Sequence, residues 1–277
     1  MENYIEEIEE LLLVSYHLDI RGFDHAFVEK SIGRRLSAYK DIPPGNYLAL
    51  LRHDREEVTD LIDSLHISYS EFFRNPLTFA YLEQFVLPHL KYQKRKENKA
   101  ELRIWSAACA SGQEPYSVAI LLDELNQEPT GKISFRIFAT DNNNEELEMA
   151  RKGIFNPSNL RKVSLQRIQN YFVQKNENYS ISSSIKNLVD FSWFDLLEEQ
   201  PASPAPSIYG YFDLVICCNL LFYYAPDSRK RILDKIRKNL APGAFLVTGE
   251  TERDILMRNS FSEAYENSAI FQEKLLS

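Results

Sequence analysis

The stretch RIWSAACASGQEPYSVAILLDE (103–124) decides the fold, because an apolar run is followed by small residues and then by an amphipathic pattern. LRIWSA (102–107) predicts a strand, and EPYSVAILLDEL (114–125) predicts a helix with proline near its first turn. The same alternation continues with strands predicted at 133–140, 212–219 and 244–249 and helices predicted at 145–153 and 227–240. It indicates an α/β fold in which helices cover both faces of a parallel sheet.

The chain before this sheet is predicted to be helical, because its apolar residues recur at helical spacing without sustained alternation. Residues 1–70 hold seven Lys and Arg against fourteen Asp and Glu, a net charge of −7. We therefore predict a helical domain at 1–70 and a sheet domain at 71–277. Within the sheet domain, the segments YFVQKNENYSIS (171–182) and IKNLVDFSW (185–193) predict short antiparallel strands, inserted at about 154–190.

The composition of the 277-residue chain is that of a globular protein, with 44% hydrophobic and 26% charged residues. Its net charge of −8 argues against nucleic-acid binding, and its basic stretch at 91–103 lacks the repeated aromatic residues that stack bases. Apolar runs fall short of the ~20 residues of a membrane span, so no membrane insertion is expected. The acidic N-terminus does not resemble a signal peptide, and three cysteines cannot form a disulfide framework. A cytoplasmic location is therefore expected.

A ligand of such a sheet is expected beyond the carboxyl ends of its strands, where SAACASG (106–112) and Asp141 lie. The small residues of this loop let the backbone approach a ligand, but the loop lacks the three glycines of a dinucleotide fingerprint and the Gly-Lys-Ser/Thr of a Walker motif. An acidic residue at a strand tip can accept both hydroxyls of a ribose. Two alternatives stay open: Glu114 is a surface carboxylate, and Asp141 caps the next helix in place of Asn143 or Asn144. Together the features predict a nucleoside ligand without a pyrophosphate.

The quoted stretch and four others resemble the chemotaxis receptor O-methyltransferases, the CheR family. The others are FFRNPLTFAYLEQFVLP (72–88), IFATDNNNEELEMARKGIF (137–155), FDLVICCNLLFYY (212–224) and ILDKIRKNLAPGAFLVTGETE (232–252). The resemblance runs from about residue 60 to the end of the chain. It implies a seven-stranded class I methyltransferase (Rossmann-like) sheet with a small antiparallel insertion. It also implies methyl transfer from S-adenosylmethionine to receptor glutamates, with S-adenosylhomocysteine as the product.

Carried over position by position, the resemblance implies a cofactor pocket. Arg74 should contact the methionine carboxylate, Glu114 the methionine amino group and Asp141 the ribose. The full set of expected cofactor-binding residues is Ser68, Ser70, Arg74, Ala107, Glu114, Asp141, Asp195, Leu196, Cys218 and Asn219. Tyr223, near the transferred methyl, and Arg74 are the expected catalytic residues. No metal is expected.

Several positions depart from the family's pattern. Cys218 stands where the family commonly has arginine, and Glu250 where it has histidine. Ser68 and Ser70 replace the family's usual asparagine and threonine, so that one amide is lost and one hydroxyl kept. These departures leave two alternatives to a receptor methyltransferase: an enzyme of the same fold with another protein or small-molecule acceptor, and a non-catalytic module that binds the cofactor.

The expected partner is a methyl-accepting receptor or another protein substrate, and two features bear on its docking. The acidic N-terminal lobe would repel an acidic receptor helix unless Arg34, Arg35 and Lys40 share one helix face near the mouth of the pocket. The insertion at about 154–190 either adds a receptor tail as an extra strand or merely caps the sheet. Alternating side chains suit an exposed edge there: Tyr171, Val173, Tyr179 and Ile181.

Overall fold

The computed structural model describes residues 2–39, 43–66, 68–97, 101–207 and 210–274. The chain divides into two compact units, one formed by Met1–Ile67 with Leu221–Arg231 and the other by Ser68–Leu220 with Ile232–Ser277. The boundary predicted near residue 70 lies close to the first division between them. The segment Leu221–Arg231, which the prediction assigns to the sheet domain, groups with the helices instead.

The described part of the helical unit contains α1 (Glu2–Tyr16), α2 (His25–Ala38), α3 (Pro44–His53) and α4 (Arg55–Leu65). Asp24 and Asp54 begin α2 and α4, because their carboxylates accept hydrogen bonds from backbone N–H groups of the first turn. The apolar faces of the helices meet in one core whose fully buried members include Ile8, Leu12, Leu51 and Leu61. Among the described residues, no helix has both the length and the apolar composition that a membrane crossing requires.

The segment Leu221–Arg231 joins this unit through the loop before α2. The backbone N–H of Asp24 donates to the carbonyl of Tyr223 at 2.8 Å. The Arg229 guanidinium forms an ion pair with the Asp24 carboxylate at 3.1 Å. The ring centroids of Tyr223 and Phe27 are 4.7 Å apart. These contacts are long-range in sequence, so local patterns in the chain do not reveal them.

A buried carboxylate, Glu57, ties α2 to α4. The Arg35 guanidinium donates to both of its oxygens, and the hydroxyls of Tyr39 and Tyr47 donate to it as well. Although burial opposes ionisation, these hydrogen bonds hold the pKa of Glu57 below its usual value. Arg35 also pairs with Asp60 at 2.5 Å. The charge of Arg35 is therefore neutralised within its own unit.

The second unit is built on a seven-stranded sheet in the order β6-β2-β1-β7-β8-β10-β9. Its strands are β1 (Glu101–Ala107), β2 (Ser134–Asp141), β6 (Val189–Trp193), β7 (Phe212–Cys217), β8 (Leu240–Thr248), β9 (Phe261–Glu263) and β10 (Ile270–Glu273). A separate sheet holds β3 (Ile154–Phe155), β4 (Phe172–Lys175) and β5 (Asn178–Ile181). The predicted α/β fold, a seven-stranded sheet with a small antiparallel insertion, is confirmed.

Helices flank these strands. They are α5 (Pro76–Tyr81), α6 (Leu87–Lys96), α7 (Gln113–Gln127), α8 (Asn144–Lys152), α9 (Leu165–Tyr171), α10 (Ser183–Lys186), α11 (Pro226–Asn239) and α12 (Arg253–Arg258), and a π-helical turn, Leu82–Val86, joins α5 to α6. Every residue of β7 is buried, as expected of a parallel strand covered on both faces.

The strand order places the candidate site. β1 is hydrogen-bonded to β2 on one side and to β7 on the other, both in parallel. The strands that follow β1 in the main sheet therefore lie first on one side of it and then on the other, which makes β1 the topological switch point. β10 runs antiparallel to both of its neighbours and does not contribute its carboxyl end to this edge. Ligands of open α/β sheets bind at such a switch point, beyond the carboxyl ends of the strands.

One strand prediction is wrong. IKNLVDFSW is predicted as part of the antiparallel insertion, but β6 pairs in parallel with β2 and forms the edge of the main sheet. Its alternating pattern arises because an edge strand of a covered sheet is half-exposed, with Val189 buried and Trp193 exposed. Strand pairing in the insertion ends at Ile181. Periodicity reports how buried a strand is, and it does not report which sheet the strand joins.

Candidate cofactor-binding site

The loop after β1 has an unusual backbone that only small residues allow. Ala108, Ala110 and Gly112 all have left-handed conformations, with φ of 59°, 45° and 91°. Such angles cost an alanine on the order of 1 kcal/mol each, so the loop must be held by its surroundings. A side chain on Gly112 would lie 2.9 Å from the Cβ of Ala150 and 3.2 Å from the ring of Phe191. The predicted close-approach loop is therefore packed tightly against its own unit.

Asp141, at the tip of β2, holds this loop in place. Its carboxylate accepts a hydrogen bond from the backbone N–H of Ala110 at 2.8 Å and another from Asn143 at 2.9 Å. The cap of α8 is Asn143, which accepts from the N–H groups of Glu145 and Glu146. Asp141 is thus not the helix cap. Part of its hydrogen-bonding capacity is used by the backbone of its own unit. Each carboxylate oxygen has two acceptor sites, so a bound ribose can share it with the loop.

Glu114, in the first turn of α7, lies in a desolvated part of the site. The hydroxyl of Ser106 donates to its carboxylate at 2.7 Å, and the thiol of Cys218 is a second hydrogen-bonding neighbour. Desolvation raises the pKa of Glu114 to about 7, although these hydrogen bonds and the charge of Arg74 oppose the rise. Glu114 is thus half-buried and hydrogen-bonded within its own unit, which disfavours the alternative of a freely exposed surface carboxylate. Its negative charge lacks an ion pair within the described residues, and a cationic group would stabilise it.

The chain after β7 is held by a carboxylate that the sequence analysis missed. Glu252 is fully buried and accepts backbone hydrogen bonds from Asn219, Leu220 and Gly249 at 2.7–2.8 Å. Asn219 has a left-handed backbone with φ of 60°. A side chain on Gly249 would come within 2.6 Å of the Asn219 amide nitrogen. Glu252 therefore positions Asn219, one of the predicted cofactor residues.

The signal for Glu252 was present in the chain. An acid three residues after a helix-starting residue typically accepts from the N–H of that residue, as Glu252 does from Gly249. Glu250, the departure from the family pattern, is exposed at the surface. Glu252, two positions later, is the acid that holds the backbone around Asn219.

Arg74, Ser68 and Ser70 lie on the segment that precedes α5. The Arg74 guanidinium donates to the carbonyl of Tyr69 at 2.8 Å and lies 5.0 Å from the centre of the Tyr69 ring. Its positive charge lowers the pKa of Glu114, so these two predicted residues share one region. Ser68 instead neighbours Glu146. The backbone carbonyl of Ser70 accepts a hydrogen bond from the Asn159 amide at 3.4 Å.

The remaining predicted residues fall into three places. Ala107 is fully buried at the end of β1. After β6, the Asp195 carboxylate accepts a hydrogen bond from the N–H of Leu197 at 2.7 Å, and Leu196 is buried. Tyr223 lies in the helical unit, where its ring packs on that of Phe27. The roles assigned to all of these residues stay predictions.

The hydrogen-bond acceptors and the carboxylate of the site match the polar groups of S-adenosylmethionine. Buried polar atoms without a hydrogen-bond partner in the described ranges include Glu146 Oε2 and Asn219 Oδ1, which are both acceptors. Together with the unbalanced carboxylate of Glu114, they call for a ligand that carries positive charge and hydrogen-bond donors. S-adenosylmethionine has an ammonium group, a sulfonium and two ribose hydroxyls. In the described ranges, His, Cys, Asp and Glu side chains do not gather in threes as a metal site would need.

Comparison with known proteins shows the family to which the chain belongs. Residues 68–269 match the family model of the CheR methyltransferase SAM-binding domain. The chain is 33% identical over 196 residues to chemotaxis protein methyltransferase 1 of Pseudomonas aeruginosa, covering 69% of this chain and 68% of that protein. It is 30% identical over 237 residues to the chemotaxis protein methyltransferase of Listeria monocytogenes, covering 84% and 85%. A 104.1 kDa protein of Rhodobacter capsulatus is 28% identical over 96% of this chain, which spans only 27% of that protein.

Proposed function

The chain belongs to the CheR methyltransferase family, and from this premise we propose that it methylates glutamate side chains of a chemotaxis-type receptor, with S-adenosylmethionine as the methyl donor. The observation that carries the proposal is the meeting of Glu114, Asp141 and Asn219 at the carboxyl ends of β1, β2 and β7. Their acceptor groups match the ammonium and the ribose hydroxyls of the cofactor. The product on the acceptor would be a carboxyl methyl ester.

For methyl transfer to a carboxylate, the main task of the protein is to position the acceptor and the cofactor. A glutamate side chain has a pKa of about 4.3, so the acceptor is already an anionic nucleophile at neutral pH. The cofactor supplies an activated methyl group whose leaving group is a neutral thioether. Arg74 and Glu114 would orient the two ends of the methionine, and no general base is required. Holding acceptor and methyl in line is worth roughly 7–11 kcal/mol, which exceeds the effect of any single polar contact.

At two positions that depart from the family pattern, Cys218 and Glu250, no charged side chain lies in the interior of the site. The Cys218 thiol is a hydrogen-bonding neighbour of Glu114, and desolvation raises its pKa well above the usual value, so the sulfur stays a neutral thiol. Glu250 is exposed at the surface. The site therefore lacks the charge that an arginine at position 218 would supply. A methyltransferase with a different acceptor is the second candidate, and it rests on this observation.

The deciding experiment incubates the protein with methyl-labelled S-adenosylmethionine and membranes from the source organism, and then treats the washed product with base. Carboxyl methyl esters release methanol in base, whereas N-methyl groups do not. Base-labile label on a receptor-sized protein is the expected result. Base-stable label would reject glutamate methylation in favour of another acceptor. Absence of label, with cofactor binding intact, would favour the non-catalytic module.

The first test of cofactor binding is at Asp141. We expect Asp141→Ala to weaken S-adenosylhomocysteine binding by about 1–3 kcal/mol, because charge-assisted hydrogen bonds to the ribose are lost and the loop loses its anchor at Ala110. Isothermal titration calorimetry measures the effect. Asp190→Ala, an exposed carboxylate on β6, is the matched control and should bind as the parent does. Equal affinities for parent and Asp141→Ala would contradict the role of Asp141.

Receptor docking through basic residues of the helical lobe receives little support. Arg35 is neutralised by Glu57 and Asp60, whereas Arg34 is exposed on the neighbouring helix position. Lys40 lies outside the described residues. Successive helix residues point about 100° apart, so Arg34 and Arg35 do not form one basic face. The expected cluster is therefore reduced to Arg34 among the described members.

The insertion offers the better docking surface. β4 pairs with β5 on one side, and its other side is not paired with a strand in the described ranges. The side chain of Val173, on β4, is 56% exposed. Tyr171 and Ile181, also expected at an exposed edge, are buried instead. In the part of the chain that the structure describes, this edge thus combines an exposed apolar side chain with the lack of a neighbouring strand, which suits strand addition by an extended peptide.

A further inference from the structure

Glu146, in the first turn of α8, is a buried acid without an assigned role. The residue is only 8% exposed, and its Oε2 atom is fully shielded and has no hydrogen-bond partner among the residues that the structure describes. Buried polar groups in folded proteins are almost always hydrogen-bonded, and a buried carboxylate oxygen without a donor is costly. A group of this kind implies either a function or a missing partner.

The local sequence does not explain why Glu146 points inward. An asparagine cap followed three residues later by glutamate, as in Asn143 and Glu146, normally forms a reciprocal pair in which the acid accepts from the N–H of the cap. Here the N–H of Asn143 donates to Asp141 at 2.9 Å instead. The carboxyl group of Glu146 is thereby released from the helix terminus. It turns toward the hydroxyls of Ser68 and Ser111, which are its hydrogen-bonding neighbours.

These neighbours place Glu146 at one end of the site. Ser111 belongs to the loop after β1, and Ser68 is one of the predicted cofactor residues. The charged neighbours of Glu146 are Asp141 and Glu145, whereas those of Glu114 are Glu252 and Arg74. Glu146 therefore lies beside Asp141, the expected ribose ligand.

We propose that Glu146 is a cofactor-binding residue whose Oε2 accepts a hydrogen bond from one ribose hydroxyl, while Asp141 accepts one from the other. A ribose between the two acids supplies one donor to each and separates their charges. Burial raises the pKa of Glu146, as expected of an acid that lacks this donor in the free protein. The proposal rests on the proposed function, since it requires that the site bind an adenosyl cofactor.

The test compares ligands as well as variants. S-adenosylhomocysteine and its 2′-deoxy and 3′-deoxy analogues are titrated into the parent protein, Glu146→Leu and Glu146→Gln. For S-adenosylhomocysteine, Glu146→Leu should weaken binding about ten- to hundredfold, the range for a hydrogen bond to a charged group. With the analogue that lacks the bound hydroxyl, the same substitution should change affinity less than about twofold, because sites in contact are not additive. Glu146→Gln, which keeps an acceptor oxygen, should fall between.

Controls separate the possible failures. Glu145→Gln changes the exposed acid one position earlier on the same helix and should leave all three affinities unchanged. Urea denaturation of Glu146→Leu shows whether the variant is folded. If Glu146→Leu binds S-adenosylhomocysteine as well as the parent, or loses the same factor for all three ligands, the proposal is overturned while the function stands. If the folded parent binds none of the ligands, the proposed function itself fails.

Discussion

Glu252→Ala is expected to lower the free energy of unfolding by about 3–5 kcal/mol, because three backbone N–H groups lose one shared, fully buried acceptor. The Glu252 carboxylate is fully buried, while its donors are buried in Gly249 and half-buried in Asn219 and Leu220, so water replaces the acceptor poorly. The release of Asn219 from its left-handed conformation should also weaken S-adenosylhomocysteine binding. Urea denaturation and calorimetry measure the two effects on one preparation.

The matched control for this substitution is Glu250→Ala, two residues earlier and exposed. It should change the free energy of unfolding by less than about 0.5 kcal/mol, as most surface substitutions do. Glu252→Gln keeps one acceptor oxygen but turns an NH₂ group toward the backbone donors, so it should also be destabilising. A Glu252→Ala protein that is as stable as Glu250→Ala would refute the structural role of Glu252.

Affinity for S-adenosylmethionine is expected to fall as the pH is lowered from 8 to 6, because Glu114 has a pKa of about 7 and only its ionised form attracts the cofactor's ammonium. Below that pKa, each further pH unit should cost up to about tenfold in affinity. Glu114→Gln should bind about ten- to hundredfold more weakly at pH 8 and should flatten the pH profile between 6 and 8. Calorimetry at a series of pH values, with Glu148→Gln as an exposed control, measures both effects.

The same substitution should act in the opposite direction on stability. A carboxyl whose pKa is raised by folding binds more protons in the folded than in the unfolded chain between its usual value of 4.5 and about 7. The free energy of unfolding therefore falls as the pH rises through this range. Without cofactor at pH 8, Glu114→Gln should be more stable than the parent by roughly 1–3 kcal/mol, at 1.36 kcal/mol per pKa unit. A parent that is more stable than Glu114→Gln under these conditions would show that Glu114 is not desolvated.

The sequence by itself determined the features that depend on short stretches of chain. The apolar run at 102–107 predicts a strand, and the small residues after it predict a loop that a ligand can approach. The structure contains the strand, β1, and a tightly packed loop after it. Asn143 is one of two predicted caps of α8, and it forms the cap. The strand ends also place Glu114 and Asp141 at one edge of the sheet. These predictions succeed because periodicity, capping and turn chemistry act between residues that are close in sequence.

Tertiary structure alone decided the features that depend on groups far apart in the chain. β6 joins the main sheet because β2 offers it a parallel partner, although its alternating pattern suits either sheet. Glu252 and Glu146 both follow a helix cap by three residues, yet one accepts from its cap and the other turns inward. The difference arises because Asp141, on another element, takes the N–H that Glu146 would otherwise bind. Burial and hydrogen-bond competition are set by the whole fold, so the charge state of Glu114 and the orientation of Glu146 are properties of the packed chain and not of its local sequence.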